Sequence, residues 1–512
     1  MPFFSRSALK DGVAMREVWS WAAFDFANSG YTTVVLTAVF NAYFVSVVAG
    51  DAPSATFLWT VVIAVSNAVS MLLMPVIGTV ADATATKKRW LAVATFMAVG
   101  GTLGLMFAGP GTIVWASLMI IVSNVAYNVG ESLNSAFLPE LAREDAVGKV
   151  SGWGWSFGYC GGILTLGLCL GVVLGGEKLG YGMDQTVAGT MAVTAFVFAA
   201  AALPIFLFLK ERSVPRLDAA DREAVRSAAS ESFAELRRTL GSLGDFRDFA
   251  WLSVCGFLYQ CGVSVVITLS AVYAAAVMGF KTEDTLLMVF LVNITAAVGA
   301  FAFGYVQDRI GHKLALAGTL CVWIAMIAVA AFSTERWQFW VPANLAGLAM
   351  GSSQSAGRAM VAVFAPSSRL AEFYSFWNMA LWLAAIVGPL SYGAITWITG
   401  NDHRMAILFT GLFFVLSLLA LAPVSMKRGA EVARSWALTA GCLLHESRIK
   451  TGPDARCTHP ALLRPPTACG WRLPRFAGRR LVPFLAVRSG RPPLSLDGGG
   501  GVSLSLNVLC LN

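Results

Sequence analysis

The ten residues GYVQDRIGHK (304–313) join two long apolar segments and place charged side chains beside two glycines. A glycine allows two helices to approach closely, whereas a carboxylate and basic side chains can cap or pair with neighbouring helix ends. Such a loop would hold helix ends together in one conformation and release them in another. The positions that carry this chemistry are Gly304, Asp308, Arg309, Gly311 and Lys313.

A weaker copy of this loop occurs earlier in the chain, where the sequence reads GTVADATATKK (78–88). The copy keeps Gly78 and Asp82 at the same spacing of four but lacks the Arg after the Asp. The two loops lie 226 residues apart, and SGW (151–153) recurs as SFW (375–377) at an offset of 224. Similar offsets in separate places indicate two repeats within one chain.

The composition indicates a polytopic membrane protein. Of the 512 residues, 57% are hydrophobic and 13% charged, and the mean hydropathy is +0.67, whereas a soluble domain is about half apolar and a quarter charged. The net charge of +8 comes from residues 427–512, which carry +9, while the remainder carries −1. The basic balance is therefore no sign of a nucleic-acid partner. The nine cysteines show no regular spacing and predict no disulfide framework.

Hydropathy divides residues 19–425 into twelve segments, each about long enough to cross the hydrocarbon core of a bilayer. Each repeat then holds six spans, so the two halves keep the same topology and are related by an axis along the membrane normal. We expect an all-α polytopic membrane protein, two parallel six-helix repeats, with transmembrane helices at 19–48, 56–80, 90–109, 112–138, 151–175, 187–209, 248–278, 284–306, 313–332, 337–364, 372–399 and 404–425.

Basic residues predict the orientation, because cytoplasmic loops are enriched in Lys and Arg. One set of connections carries 21 of them and the other set carries four. Both termini are therefore expected in the cytoplasm, in a multi-pass protein of a bacterial inner membrane. The predicted domains are a cytoplasmic N-terminal segment (1–18), a first half (19–209), a cytoplasmic linker with an amphipathic helix (210–247), a second half (248–426) and a disordered basic tail (427–512). The alternative for the linker is a disordered segment.

GYVQDRIGHK resembles the loop 2–3 signature of the major facilitator superfamily, G-x-x-x-D-R-x-G-[RK]-[RK], with His312 where a base is common. A narrower resemblance is to the vacuolar amino-acid effluxer branch, the autophagy-related permeases and their bacterial relatives. It covers most of residues 19–425. In span 7 the branch usually has Asn-Asp-Gly, where this chain has Gln-Cys-Gly (260–262). Three stretches carry the narrower resemblance: WAAFDFANSGYTTVVLTAVFNAYF (21–44), LPELAREDAVGKVSGWGWSFGYCGG (138–162) and GSSQSAGRAMVAVFAPSSRLAEFYSFW (351–377).

The resemblance implies a secondary active transporter that moves a small polar organic solute, amino acids first, by alternating access. The alternatives are a sugar or drug permease of the same fold, and a non-transporting receptor or scaffold derived from it. No phosphate-binding loop, nucleophile elbow or H-E-x-x-H motif is found, so no enzyme, cofactor or metal is predicted. The expected partners are a small-molecule substrate, with proton coupling as an option, and membrane lipid. We expect a monomer.

In this architecture spans 1, 4, 7 and 10 line the central cavity, so their polar residues are the candidates for cargo contact. Glu131 and Arg358 each lie eight residues before a proline at the cytoplasmic end. They are expected to face one another, directly or across the cargo; a competing alignment would shift them apart, leaving each satisfied by local hydrogen bonds. The predicted substrate or coupling residues are Asp25, Asn28, Tyr31, Asn128, Glu131, Gln354 and Arg358.

A charged side chain in a membrane span is unfavourable in free energy, so Asp25 needs a structural or functional explanation. It lies about six residues, or roughly 9 Å, from the predicted start of span 1. Two roles follow from that position: a gate or cavity residue, or a cap near the helix end. If it is functional, either Asp25 or Glu131 could carry a coupling proton.

Overall fold

The computed structural model describes residues 5–50, 55–217, 221, 223, 246–280, 282–400 and 402–436. Within this part, twelve long helices follow one another, and the predicted span numbers are kept for them. Their bounds are Met15–Tyr31 (span 1), Ala55–Thr84 (span 2), Lys87–Gly104 (span 3), Ile113–Ser135 (span 4), Val147–Lys178 (span 5), Met183–Phe208 (span 6), Arg247–Met278 (span 7), Thr282–Ile310 (span 8), His312–Phe332 (span 9), Arg336–Phe364 (span 10), Leu370–Ile398 (span 11) and His403–Leu421 (span 12).

Eleven helices in the described ranges are long and apolar enough to cross a membrane by length and composition. Span 10 is not among them, because its middle carries the polar run GSSQSAGR (351–358). The predicted all-α fold of twelve transmembrane helices is confirmed. The helices of spans 2, 5 and 8 run about four residues further than predicted at one end, since their polar ends remain helical beyond the apolar segment.

Span 1 is irregular beyond Tyr31. It continues as a π-helical segment at Thr32–Ala38, a short α-helix at Phe40–Tyr43 and a second π-helical segment at Phe44–Val48. The run TTVV (32–35) is entirely β-branched, and such side chains crowd the preceding turn of an α-helix. A π-helical turn takes in an extra residue and rotates the following side chains relative to a regular helix.

The two six-helix halves meet through spans 5 and 8, and through spans 2 and 11. The first contact is close because glycines face each other: a Cβ added to Gly304 would lie 2.9 Å from the carbonyl oxygen of Gly148 and 3.2 Å from the Cα of Gly152. We call the end of the molecule at which spans 2 and 8 finish the basic face, and the other end the opposite face. The basic face carries the connections at 85–86, 142–146, 209–217, 365–369 and 422–425.

Most of the predicted linker, 210–247, lies outside the described residues, and so does its predicted amphipathic helix. The described beginning of the linker is not helical and crosses the basic face. There the Glu211 carboxylate accepts hydrogen bonds from the backbone N–H groups of Lys87 (2.9 Å) and Lys88 (3.2 Å). These are the first residues of span 3, so Glu211 caps that helix. Burial raises the pKa of the Glu211 carboxyl.

The predicted boundary between the second half and the tail, at 427, is wrong. Residues 426–436 form a helix that packs against the start of span 7. Arg428 is ion-paired with Asp248 at 2.6 Å, and the ring of Trp436 lies 5.5 Å from that of Phe246. The basic composition of the tail concealed this helix, because its attachment depends on an ion pair, Arg428 with Asp248, and on a ring contact of a Trp436 that stays partly exposed. Residues 437–512 of the predicted tail lie outside the described ranges.

Candidate functional site

A cavity of about 360 Å³ lies between the two halves, and its walls differ in polarity. Spans 1 and 4 contribute carboxyl, amide and hydroxyl groups, whereas spans 8 and 10 contribute mainly apolar side chains. Small-molecule sites measure about 300–1,000 Å³, so this one suits a small organic solute. The polar wall includes Asp25, Asn28, Ser29, Thr32, Thr33 and Glu131, and the apolar wall includes Met288, Val292, Phe339, Pro342, Ala346 and Met350.

The floor of the cavity is an ion pair between the halves. Arg358 Nη1 of span 10 donates to Asp25 Oδ2 of span 1 at 2.8 Å, and both side chains are almost fully buried. The other oxygen of Asp25 accepts from Asn134 Nδ2 at 2.7 Å. Asp25 lines the cavity, and Arg358 lies on its basic-face side, outside the lining. Asp25 therefore lies in the cavity wall, in the interior of the helix Met15–Tyr31 and not at its end.

Arg358 is held in place on every side of its guanidinium group. Its Nη2 donates to the Ser151 carbonyl oxygen at 2.9 Å, and its Nε donates to the Ser151 hydroxyl at 3.3 Å. The rings of Trp21 and Trp155 lie 4.8 Å and 5.2 Å from its central carbon, both within the range of a cation–π contact. Arg358 thereby ties span 10 to spans 1 and 5 of the other half.

Glu131 also lines the cavity, but it does not pair directly with Arg358 as predicted. Its Oε2 accepts a hydrogen bond of 2.7 Å from Asn28 Nδ2. The predicted direct contact between Glu131 and Arg358 is therefore wrong, because the ion-pair partner of Arg358 is Asp25. Asn28 and Glu131 come together because span 4 packs beside span 1.

Two predicted cargo residues, Tyr31 and Asn128, are not part of the cavity. The Tyr31 hydroxyl is buried and shares a hydrogen bond of 2.8 Å with Ser123 of span 4. Asn128 Nδ2 donates to Ser70 at 2.9 Å and to Asn67 at 3.2 Å, both in span 2. The polar stripe on span 4, which includes Asn128 and Glu131, thus faces two neighbours, and its Asn128 side serves helix packing.

Gln354 does line the cavity, as predicted for span 10. Its Nε2 donates to the side-chain oxygen of Gln260 at 3.2 Å. Gln260 belongs to span 7, so this neutral amide pair joins two helices of the second half. The Gln-Cys-Gly run noted in the sequence therefore contributes an amide, and no charge, to the cavity wall.

The sequence reasoning missed the hydroxyl and aromatic part of the lining. Thr32, Thr33 and Thr37 reach the cavity from the π-helical segment of span 1, and the run YTTVVLT (31–37) carried a signal for them. Trp155 and Tyr159 of span 5 had no such signal, because span 5 is not among the spans expected to line the cavity. Further missed lining residues are Tyr127, Asn293 and Tyr392.

With the fold and cavity described, the chain can be compared with known proteins. The model of the "Vacuole effluxer Atg22 like" family matches residues 44–434. This chain belongs to that family. It is 25% identical over 420 residues to the uncharacterized MFS-type transporter YxiO of Bacillus subtilis (strain 168), over 81% of this chain and 96% of that protein. It is also 28% identical over 181 residues to autophagy-related protein 22 of Cryptococcus neoformans (serotype D, strain B-3501A), over 32% of this chain and 33% of the relative.

Solved structures share the fold of this Atg22-like chain. The human organic anion transporter MFSD10 superposes with a TM-score of 0.62 at 15% identity, covering 79% of this chain and 99% of that one. The proton:xylose symporter XylE gives a TM-score of 0.62 at 14% identity, covering 82% and 98%. The chain is therefore a multi-pass membrane transporter of the major facilitator type, and it is not an enzyme.

The two motif loops make equivalent contacts in the two halves of this Atg22-like fold. Asp308 accepts hydrogen bonds of 2.9 Å from the backbone N–H groups of Gly148 and Lys149, at the start of span 5. Asp82 accepts one of 3.1 Å from the N–H of Glu372, at the start of span 11. Each carboxylate caps a helix of the other half, where a negative charge is favourable. The offset from Gly148 to Glu372 is 224, as in the sequence repeat.

The remaining motif residues shape or support these loops. Gly311 has a φ of 92°, a conformation open to glycine, and it ends span 8 sharply before span 9 begins. Lys313 Nζ donates to the carbonyl oxygens of Ala422 and Val424 at 2.7 Å. A Cβ on Gly78 would lie 2.6 Å from the Ser375 hydroxyl of span 11. Arg309 is exposed on the basic face.

Proposed function

We propose that this chain moves a small polar organic solute by alternating access, and that Asp25 and Arg358 form its gate on the basic face. The observation that carries the proposal is the buried 2.8 Å ion pair between span 1 and span 10, at the floor of the cavity. Separating the halves at this end requires the pair to break. Cargo or a proton that competes for Asp25 would therefore favour opening.

The contacts between the halves support a state that is closed at the basic face. Ser151 Oγ donates to the Ser355 carbonyl oxygen at 2.8 Å, and Gln307 Nε2 donates to the Ser355 hydroxyl at 3.2 Å. These contacts and the two carboxylate caps all lie on the basic-face side of the cavity. The cavity lining extends from there toward the opposite face, as far as Thr37 and Phe339. With the predicted orientation, we propose that this arrangement faces outward in a bacterial inner membrane and that both termini are cytoplasmic.

Amino acids are the first cargo class we propose, on the strength of the sequence resemblance and the size of the cavity. Asp25 and Glu131 are the residues we propose for proton coupling, because both carboxylates line the cavity. Asp25 belongs to the gate itself, so its protonation would remove the charge that holds Arg358. Glu131 lies beside Asn28 and would sense cargo and proton together.

The test is efflux of a labelled amino-acid mixture from proteoliposomes, with and without a pH gradient. Asp25→Asn and Glu131→Gln are compared with Glu144→Gln, a matched control at an exposed position on the basic face. We expect gradient-dependent efflux that is lost in Asp25→Asn or Glu131→Gln and kept in the control. Absence of efflux from folded wild-type protein contradicts the amino-acid proposal. Unchanged efflux in Asp25→Asn contradicts the gate.

A further inference from the structure

The cavity holds one carboxylate whose charge is not balanced. Of the two carboxylates in its lining, Asp25 is paired with Arg358, whereas Glu131 accepts from the neutral amide of Asn28. Within the described ranges, no Lys or Arg belongs to the lining, and none forms an ion pair with Glu131. Glu131 is partly buried, and an ionised carboxylate that faces a largely apolar cavity is stabilised by a positive partner. A cationic group on the cargo would supply it.

A second observation at the same place points to a hydrogen-bond donor on the cargo. The side-chain oxygen of Asn28 is buried and has no hydrogen-bond partner in the part of the chain that the structure describes. Its amide nitrogen is engaged with Glu131, so the oxygen is the free half of a side chain that is 2% exposed. Buried acceptors without partners are rare and unfavourable. An ammonium group, with three donors, can satisfy Asn28 and Glu131 together.

The opposite wall favours an apolar body on the same molecule. Met288, Val292 and Met350 line it from spans 8 and 10, together with Phe339 and Ala346. Methionine side chains adapt to varied apolar shapes. A solute that places its charged end against spans 1 and 4 would therefore lay its apolar part against the second half.

The described lining holds no cationic side chain that could pair with a carboxylate on the cargo. Arg358 lies outside the lining, and its guanidinium is engaged by Asp25 and Ser151. The donors that remain in the described lining are neutral: they include Trp155 Nε1, which is buried without a hydrogen-bond partner in the described structure, the amide pair of Gln260 and Gln354, and hydroxyl groups such as those of Thr32 and Thr33. These can meet a carbonyl or hydroxyl oxygen. They leave the charge of a carboxylate unbalanced beside Glu131.

We propose that the cavity binds monocationic amphipathic amines, with Glu131 and Asn28 holding the ammonium group and the second half holding the apolar body. A carboxylate on the same molecule weakens binding. This inference rests on the proposed function, because it takes the cavity as the cargo site of a transporter of small organic solutes. Within that class it favours amines without a free carboxylate over amino acids.

Three probes with the same aromatic body test the inference: phenethylamine, phenylalanine and 3-phenylpropionate. Their binding to the full-length protein in lipid nanodiscs is measured by calorimetry at neutral pH. We expect phenethylamine to bind about tenfold or more tightly than phenylalanine. Both can form the charge-assisted hydrogen bond with Glu131, but only phenylalanine carries a carboxylate that Glu131 repels. 3-Phenylpropionate is expected to bind weakest.

Variants then assign the preference to Glu131. Glu131→Gln should bring phenethylamine and phenylalanine to within about twofold of each other, as expected when the charge-assisted contact is removed. The control Glu144→Gln should keep the wild-type ratio. Glu131→Asp preserves the charge, so a folded Asp variant should still prefer phenethylamine, which keeps the test valid if the Gln variant is unstable.

The inference is overturned if phenylalanine binds as tightly as phenethylamine, if phenethylamine does not bind, or if Glu131→Gln keeps the wild-type preference. Counterflow of labelled solutes in proteoliposomes distinguishes failure of the amine inference from failure of the proposed function. Movement of phenylalanine but not phenethylamine would overturn the amine class and leave transport standing. Absence of any solute movement, with no change in accessibility of the basic face, would overturn transport itself.

Discussion

Arg358 and Asp25 are 333 residues apart in the chain, yet they form a 2.8 Å hydrogen bond that joins the two halves of the molecule. Their side chains are 4% and 5% exposed, so the pair is shielded from water. A buried ion pair adds little net stability when intact, but removing one partner leaves the other charge unbalanced. The pair is thus suited to hold one state of the transporter and to release it when a competitor arrives.

Removing Arg358 should destabilise this closed state strongly. We expect Arg358→Gln to lower the free energy of unfolding by about 3–5 kcal/mol, because Asp25 is then left buried without its cation. The double variant Asp25→Asn/Arg358→Gln should recover part of that loss. Chemical unfolding of the four proteins in a double-mutant cycle measures the coupling. Additive effects, with no recovery in the double variant, would contradict the role assigned to the pair.

Close contact between spans 5 and 8 should be needed for the state described here. A methyl group at position 304 meets the Gly148 carbonyl oxygen at 2.9 Å, so Gly304→Ala should separate the helices and favour the state open at the basic face. Labelling of a cysteine placed at Ser355 should rise severalfold. Gly318→Ala is the matched control, since a Cβ there meets nothing within 4 Å. Equal labelling of both variants would refute the prediction.

The Asp308 cap should favour the same closed state. Asp308→Asn keeps the shape of the side chain but weakens two charge-assisted hydrogen bonds, to Gly148 and Lys149. A helix cap is worth about 1 kcal/mol, so the ratio of the closed to the open state should fall about fivefold. The same cysteine-labelling assay reports it. Asp145→Asn, at an exposed position on the same connection, is the control, and a fall of equal size there would count against the cap.

Much of the architecture was predictable from the sequence, because the signals were strong and local. Twelve apolar segments, the repeat offset and GYVQDRIGHK (304–313) each depend on residues that act through hydropathy or backbone geometry. The pairing of Asp25 with Arg358 was not predictable, because it depends on the rotation of spans 1 and 10 about their axes. A register shift of one residue turns a helical side chain by about 100°.

The span 4 stripe shows the same limit within one helix. Asn128 and Glu131 are three residues apart and share a face at sequence level, yet span 2 covers the first and the cavity receives the second. Which neighbour covers which part of a polar stripe is a property of the assembled bundle. The π-helical segment Thr32–Ala38 adds a further rotation that regular helical spacing does not anticipate.

Substitutions of two asparagines, Asn28 in span 1 and Asn128 in span 4, should separate cargo binding from helix packing. Asn128→Ala should lower the free energy of unfolding by about 1–3 kcal/mol, because Asn67 and Ser70 lose a buried partner, and it should leave cargo affinity unchanged. Asn28→Ala should weaken cargo affinity with a smaller change in stability. Unfolding and ligand binding measured on both variants decide the matter. Weakened cargo affinity in Asn128→Ala would contradict the assignment of Asn128 to helix packing.

The helix at 426–436 should stabilise the second half. Truncation after residue 436 should leave the thermal midpoint unchanged, whereas truncation after residue 425 should lower it by several degrees. The shorter chain loses the Arg428–Asp248 ion pair and the contact of Trp436 with Phe246. Thermal unfolding of the two truncated proteins beside the full chain gives the comparison. Equal midpoints for both would show that this helix contributes nothing to stability.

The most direct measurement of alternating access is the distance between the halves at both ends of the molecule. Spin labels at exposed positions Arg143 and Arg309 report the basic face, and labels at Leu179 and Ile398 report the opposite face. In Arg358→Gln we expect the first distance to lengthen and the second to shorten relative to the wild type, by pulsed electron paramagnetic resonance. Distances that stay the same at both ends, in a folded variant, would contradict the gate and the alternating-access account.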